Sequence, residues 1–209
     1  LNGFSFVAVI MSLLLMKLPP YTPHERITTV AADLKEGFYY LRTTREISRV
    51  MLMLAGVCLL SLPFITLLPV YAGEIFFGDA TTFGVLNSFV GVGAVSGALF
   101  LASMKPGTNL KKVLFWCTLL FALGLIAFSY MRSFPIALLF IAIAGFGMMA
   151  QTTLSNTLIQ TTVAPSMRGR VISYFAMAFF GMQPMGGLLV GTAAHLIGAP
   201  FTVVLQGIA

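Results

Sequence analysis

Residues 133–167 read SFPIALLFIAIAGFGMMAQTTLSNTLIQTTVAPSM, thirty-five positions without a charge. A helix needs roughly 18–20 apolar residues to cross about 30 Å of hydrocarbon, so this stretch is long enough to span a bilayer. Four more uncharged runs flank it, at 50–73, 80–104, 113–131 and 171–209. With hydrocarbon as solvent, backbone N–H and C=O groups must bond internally, which leaves helices or a closed barrel. The runs far exceed the roughly 9–11 residues of a barrel strand and do not alternate in polarity. They are read as helices, expected at about 1–18, 49–72, 81–104, 113–131, 135–161 and 170–197, with a seventh beginning near 201.

Composition agrees. Of 209 residues, 58% are hydrophobic and 9% charged, against about 45–50% and 25% in soluble domains. A soluble enzyme, a disordered tail and a secreted disulfide scaffold are excluded. The start at Leu1 and the apolar end are read as a piece of a longer chain. The net charge is +6, which in a soluble protein would prompt a nucleic-acid reading. Here the cations sit only in short stretches between greasy runs, and no nucleic-acid partner is expected. Eleven of the twelve fall on one predicted side: Lys17, Arg26, Lys35, Arg42, Arg45 and Arg49; Lys105, Lys111 and Lys112; Arg168 and Arg170. Arg132 alone is on the other, with Glu74 and Asp79. Cytoplasmic loops carry the excess of Lys and Arg, so loops 19–48, 105–112 and 162–169 are expected to be cytoplasmic.

The organisation expected is a first helix at 1–18, a basic loop at 19–48 and a bundle at 49–209. Residues 1–18 lack the basic leading segment of a signal peptide. Within the loop, Pro19, Pro20 and Pro23 stop the first span. Ile27, Val30, Ala31, Leu34, Phe38 and Leu41 then recur at helical spacing, which predicts an amphipathic surface helix. Cys58 and Cys117 have no CxxC spacing and no neighbouring His, and read as small buried hydrophobes. No metal, cofactor or catalytic constellation is expected.

The spans carry three kinds of special residue. Pro63, Pro69 and Pro184 are placed to kink helices. Gly93 and Gly97, and Gly187 and Gly191, form GxxxG pairs, the latter next to Gly181 and Gly186, that let helices approach closely. Static packing and a sliding gate would use the same pairs. Finally, Gln151, Thr152, Thr153, Ser155, Asn156, Thr157 and Gln160 crowd into ten residues. Thr152, Asn156 and Gln160 repeat every four, so they share a helix face. An amide facing lipid would lack partners, so this face looks into the bundle or a wet cavity. Interhelical hydrogen bonding and a substrate-facing stripe both fit. Ser61, Asn87 and Gln183 are expected to face the same space. No Asp, Glu, Lys or Arg is expected at mid-membrane depth, so an ion-coupling group is expected outside this stretch of chain or on its edges.

Asn156, Gln160, Val163-Ala164-Pro165, Arg168-Gly169-Arg170-Val171, Gly181, Pro184 and Gly187 together resemble the tenth and eleventh helices of the major facilitator superfamily, in the branch of enterobactin exporters and macrolide efflux proteins. Asn2-Gly3-Phe4-Ser5-Phe6 resembles its sixth helix, and Lys35-Glu36-Gly37 through Leu41-Arg42 its central loop. The resemblance implies an all-α membrane fold: the six-helix C-terminal bundle of a twelve-helix transporter, preceded by helix six. It further implies a bacterial inner-membrane location, the bilayer, a small-molecule substrate and an N-terminal half as partners, and proton-driven efflux of an amphiphilic molecule such as a siderophore or drug by alternating access. The family's gating motif Gly-x-x-x-Asp-Arg-x-Gly-Arg-Arg is only partly matched. Lys111 and Lys112 stand for the last two arginines, while Gly107 and Thr108 replace the acid and its neighbour. Arg168, Gly169 and Arg170 are the other gating candidates, with the two arginines expected beside helix C-termini, where cations are favoured. A membrane scaffold without transport is the alternative. A lipid-acting enzyme finds only Glu74 and Asp79 for its chemistry.

Overall fold

The computed structural model describes residues 2–16 and 29–209. The expectations for Lys17, Pro19, Pro20, Pro23, Arg26 and Ile27 fall outside that range. Every regular element among the described residues is helical. The chain divides into two compact units, Leu1–Asp33 and Leu34–Ala209. The first holds helix α1 (Asn2–Leu15). Its fourteen residues rise about 21 Å, and Phe6, Leu13, Leu14 and Leu15 are all exposed.

The second unit takes in most of α2 (Val30–Thr43) and then α3 (Arg45–Ile75), α4 (Ala80–Ala102), α5 (Leu110–Tyr130), α6 (Phe134–Thr162), α7 (Arg168–Ile197) and α8 (Ala199–Ile208). Helices α3 to α7 are each long and apolar enough to cross a membrane. Local chemistry sets several ends. Asp79 starts α4 by accepting from the Thr81 and Thr82 N–H groups at 3.0 and 3.1 Å, and the Thr82 hydroxyl accepts in return from the Asp79 N–H at 3.4 Å. The reciprocal pair is a capping box. Asn109 caps α5 by accepting from the Lys112 N–H at 3.2 Å. Gly198, at φ 86°, ends α7 in a conformation that glycine adopts without strain.

Helix α6 lies between α4 and α5, and glycine makes the contact possible. A Cβ added to Gly93 would sit 2.0 Å from the Ala142 carbonyl oxygen, one on Gly97 2.7 Å from that of Phe146, and one on Gly145 2.3 Å from that of Val90. On the α5 side, Gly147 meets the Phe121 backbone in the same way. In α7 the close approach is made by Gly186, whose added Cβ would lie 2.1 Å from the Leu59 oxygen. Gly187 and Gly191, the pair expected there, have nothing closer than 3.8 Å. The spacing identified a small-residue face, but the contact fell one residue along it.

Helix α3 is regular only to Gly56. It widens to a π-helix over Val57–Ser61, tightens to a 3-10 helix over Leu62–Leu67, and widens again over Tyr71–Ile75. Pro63 and Pro69 lie in this irregular stretch. A proline lacks the N–H that would bond one turn back, and its ring pushes on that carbonyl. Other helices meet the exposed backbone. Gln206 Nε2 in α8 donates to the Leu60 carbonyl at 2.8 Å, and the Ser61 hydroxyl donates to the Gln206 carbonyl at 2.8 Å. Aromatic packing closes the same region: Tyr71 lies 4.6 Å from Phe128 between ring centres, and Phe64 lies 6.0 Å from Phe121. By contrast α7 runs unbroken through Pro184.

Candidate functional site

The polar segment of α6 separates into two faces. Gln151 and Ser155 are fully buried, and Gln151 Nε2 reaches the Ser155 hydroxyl at 3.5 Å. Gln151 Oε1 has no partner among the described residues. Thr152 and Asn156 are half-buried and Gln160 is exposed. Here the side chains bond within their own helix. Thr152 donates to the Met148 carbonyl at 2.9 Å, Thr157 to that of Thr153 at 2.9 Å, and Gln160 Nε2 to Asn156 Oδ1 at 3.0 Å.

The remaining polar candidates are dispersed. Asn87 is exposed on α4, and Gln183 is half-buried on α7. Ser61 is buried, and its hydroxyl is used in the bond to α8. None of these groups lines the groove that runs between α2, α3 and α7. Gln206, which spans the break in α3, was missed in the sequence. Its only signal was a lone amide within an uncharged run.

The basic candidates gather at one end of the second unit. Lys111 Nζ lies 2.9 Å from Glu46 Oε2, which joins the starts of α5 and α3. Arg170 Nη1 lies 3.1 Å from Glu36 Oε2, which joins α7 to α2. Lys112, Arg168 and Gly169 are exposed. Arg168 and Arg170 occupy the first turn of α7. This is the end of their own helix where the backbone dipole disfavours cations, rather than a C-terminus; for Arg170 the Glu36 carboxylate offsets that repulsion.

Helix α2 is held against this end by its backbone as well. The Tyr174 hydroxyl donates to the Leu34 carbonyl at 2.9 Å, and the Tyr40 hydroxyl accepts from the Ala164 N–H at 3.3 Å. A Cβ on Gly37 would lie 3.2 Å from both Arg170 Cβ and the Tyr174 ring. The buried face is therefore Gly37 and Leu41, with Tyr40 half-buried, while Leu34 and Phe38 are 43% and 58% exposed. The expected apolar stripe is turned partly outward, because the glycine gives α7 its nearest approach. Beside it, a groove of about 380 Å³ runs between α2, α3 and α7.

These features define a class: a bundle of membrane-crossing helices with cations gathered at one end and polar groups inside its apolar spans. The match to known families makes it specific. The chain belongs to the transmembrane secretion effector family of the major facilitator superfamily (MFS_3), whose model matches residues 1–209. It is 25% identical over 211 residues to the staphyloferrin A transporter of Staphylococcus aureus (strain NCTC 8325 / PS 47), which covers 97% of this chain and 50% of that one. It is 23% identical over 120 residues to the multidrug efflux pump Tap of Mycolicibacterium fortuitum, covering 57% of this chain and 29% of the pump. The chain thus spans about half the length of the first of these relatives, and less of the second. No solved structure matches.

Proposed function

We propose that this chain is the C-terminal half of a bacterial inner-membrane exporter, preceded by helix six, that uses the proton gradient to drive a small amphiphilic organic molecule outward by alternating access. Its partner would be the N-terminal half of the same transporter, since transporters of this kind build their site between two repeats. The observation that carries the reading is the Asn156–Gln160 pair on α6. It places two amides, one half-buried and one exposed, on a helix long enough to cross the membrane. Lipid would leave amides poorly matched there, whereas a water-filled cavity or a polar-edged substrate would not. The names of the two relatives, a staphyloferrin A transporter and a multidrug efflux pump, support transport of such a molecule, and the second supports its efflux.

In this reading loops 19–48, 105–112 and 162–169 face the cytoplasm, and the Lys111–Glu46 and Arg170–Glu36 pairs hold that end together during part of the cycle. The test uses the full-length transporter in everted vesicles. A proton gradient should drive uptake of a fluorescent amphiphilic cation or a ferric-siderophore analogue. Asn156→Leu should raise KM more than it lowers kcat. Gradient-independent flux, or Asn156→Leu and Gln160→Leu with unchanged kinetics, would defeat the proposal. Transport by the 209-residue stretch alone would also defeat it.

A further inference from the structure

We propose that the groove between α2, α3 and α7 holds one anionic phospholipid of the cytoplasmic leaflet, its headgroup on Arg42 and an acyl chain along Met51, Ala55, Met177 and Met182. The groove's volume, about 380 Å³, falls within the usual range for bound small molecules. Its walls are almost wholly apolar, no acid lines it, and Arg42 and Ser48 supply polarity at one end. Three methionines give that wall an adaptable, unbranched surface, suited to a flexible chain rather than a rigid ring system.

Charge selects the headgroup. Of the basic residues at this end, Arg42 is the one that lines the groove. It is exposed and, like Lys112 and Arg168, has no acidic partner among the described residues, whereas Lys111 is matched by Glu46 and Arg170 by Glu36. Basic pockets between membrane helices on the cytoplasmic side recognise anionic lipid headgroups. Depth fits as well. From Ser48 to Ala55 the groove follows α3 for about 10 Å, leading from the start of a membrane-crossing helix into its apolar body. Leu52 and Met177, on its flanks, are 70% and 65% exposed. Phe38 and Leu34 on α2 are also uncovered, so this helix presents an apolar edge beside a cation, the pattern of helices that lie at an anionic membrane surface.

The proposal rests on the topology given under Proposed function, and the experiment separates the two. Full-length transporter in nanodiscs of equimolar phosphatidylglycerol and phosphatidylcholine is analysed for retained lipid by native mass spectrometry. Phosphatidylglycerol should be retained about five-fold over phosphatidylcholine, the effect of one basic residue at an anionic surface. Arg42→Gln should abolish that preference, Arg42→Lys should keep it, and Ala55→Phe should lower retention of both lipids. Equal retention by the native protein, or an unchanged preference in Arg42→Gln, would overturn the site. So would retention of neither lipid together with protection of Leu52→Cys from a lipid-soluble maleimide, since protein would then cover the groove. An impermeant thiol reagent on Ser103→Cys reports orientation independently. A cytoplasmic Ser103 position without lipid preference overturns the lipid site alone; an external one overturns the topology.

Discussion

Helices α3 and α6 both cross the bundle, and both carry residues that weaken helices in water, yet they differ in form. Helix α6 is continuous over 29 residues, and its glycines serve only to bring neighbours close. Helix α3 leaves α-helical geometry in three segments around Pro63 and Pro69, and the carbonyl of Leu60 is satisfied by Gln206 from another helix. Glycine removes a side chain and leaves the hydrogen-bond ladder intact; proline removes a rung. The first favours a rigid seam, the second a segment whose geometry depends on its neighbours.

The largest expected effect tests the seam. Gly145→Leu drives a side chain into the Val90 carbonyl, with a loss at or above the upper end of the ~1–3 kcal/mol usual for overpacking. Thermal unfolding of the full-length protein should show it, while Gly191→Leu, which meets open space, should leave the melting temperature unchanged. Equal effects at the two sites would erase the distinction between packed and free glycines. Next comes the break in α3. Gln206→Leu leaves the Leu60 carbonyl without its donor and should destabilise by about 1–2 kcal/mol, read by chemical denaturation. The value is held down because the substitution also removes Gln206 Oε1, a buried oxygen with no partner among the described residues.

Pro63→Ala restores an N–H and should let α3 run more regularly. Stability should hold or rise while turnover falls several-fold, as expected when a conformational step is stiffened. Faster turnover would show that the break is not used in motion. Smaller still, Glu36→Gln should cost under about 1 kcal/mol, the usual worth of a partly exposed ion pair, and the difference should shrink in high salt. The smallest effect lies at the cap of α4. The Thr82 and Thr81 N–H groups hold the Asp79 carboxyl below its usual value. Its contribution is therefore present above the unfolded-state pKa and is lost as pH falls through the lower folded-state value. Melting curves of Asp79→Ala and the native protein should converge in acid.

Much of this bundle was legible because hydrocarbon imposes a simple rule. Uncharged runs located α3 to α7 within a few residues, and Pro135, Asn109 and Asp79 lie at or just before the helix starts they help to form. Pairwise geometry was less legible. Gly187-x-x-x-Gly191 met the small-residue pattern, but Gly186 faces Leu59, since spacing does not say where the neighbouring helix lies. On α2 the hydrophobic pattern pointed to Leu34 and Phe38, yet Gly37 sets the docked face. A residue without a side chain gives no hydrophobic signal. Pro63 announced a disturbance, but its form depended on Gln206, more than a hundred residues away.

The self-bonded hydroxyls of α6 have a further consequence. Thr152 donates to a carbonyl of its own helix, and Thr157 and Thr161 do the same on the other side of α6, so the polarity of each of these surfaces is internally balanced. Such a surface can meet water, an organic cargo or the flank of another helix in turn, with little hydrogen bonding to rebuild at each exchange. A wall of this kind tolerates changing company, which is what the proposed alternating-access export would ask of it.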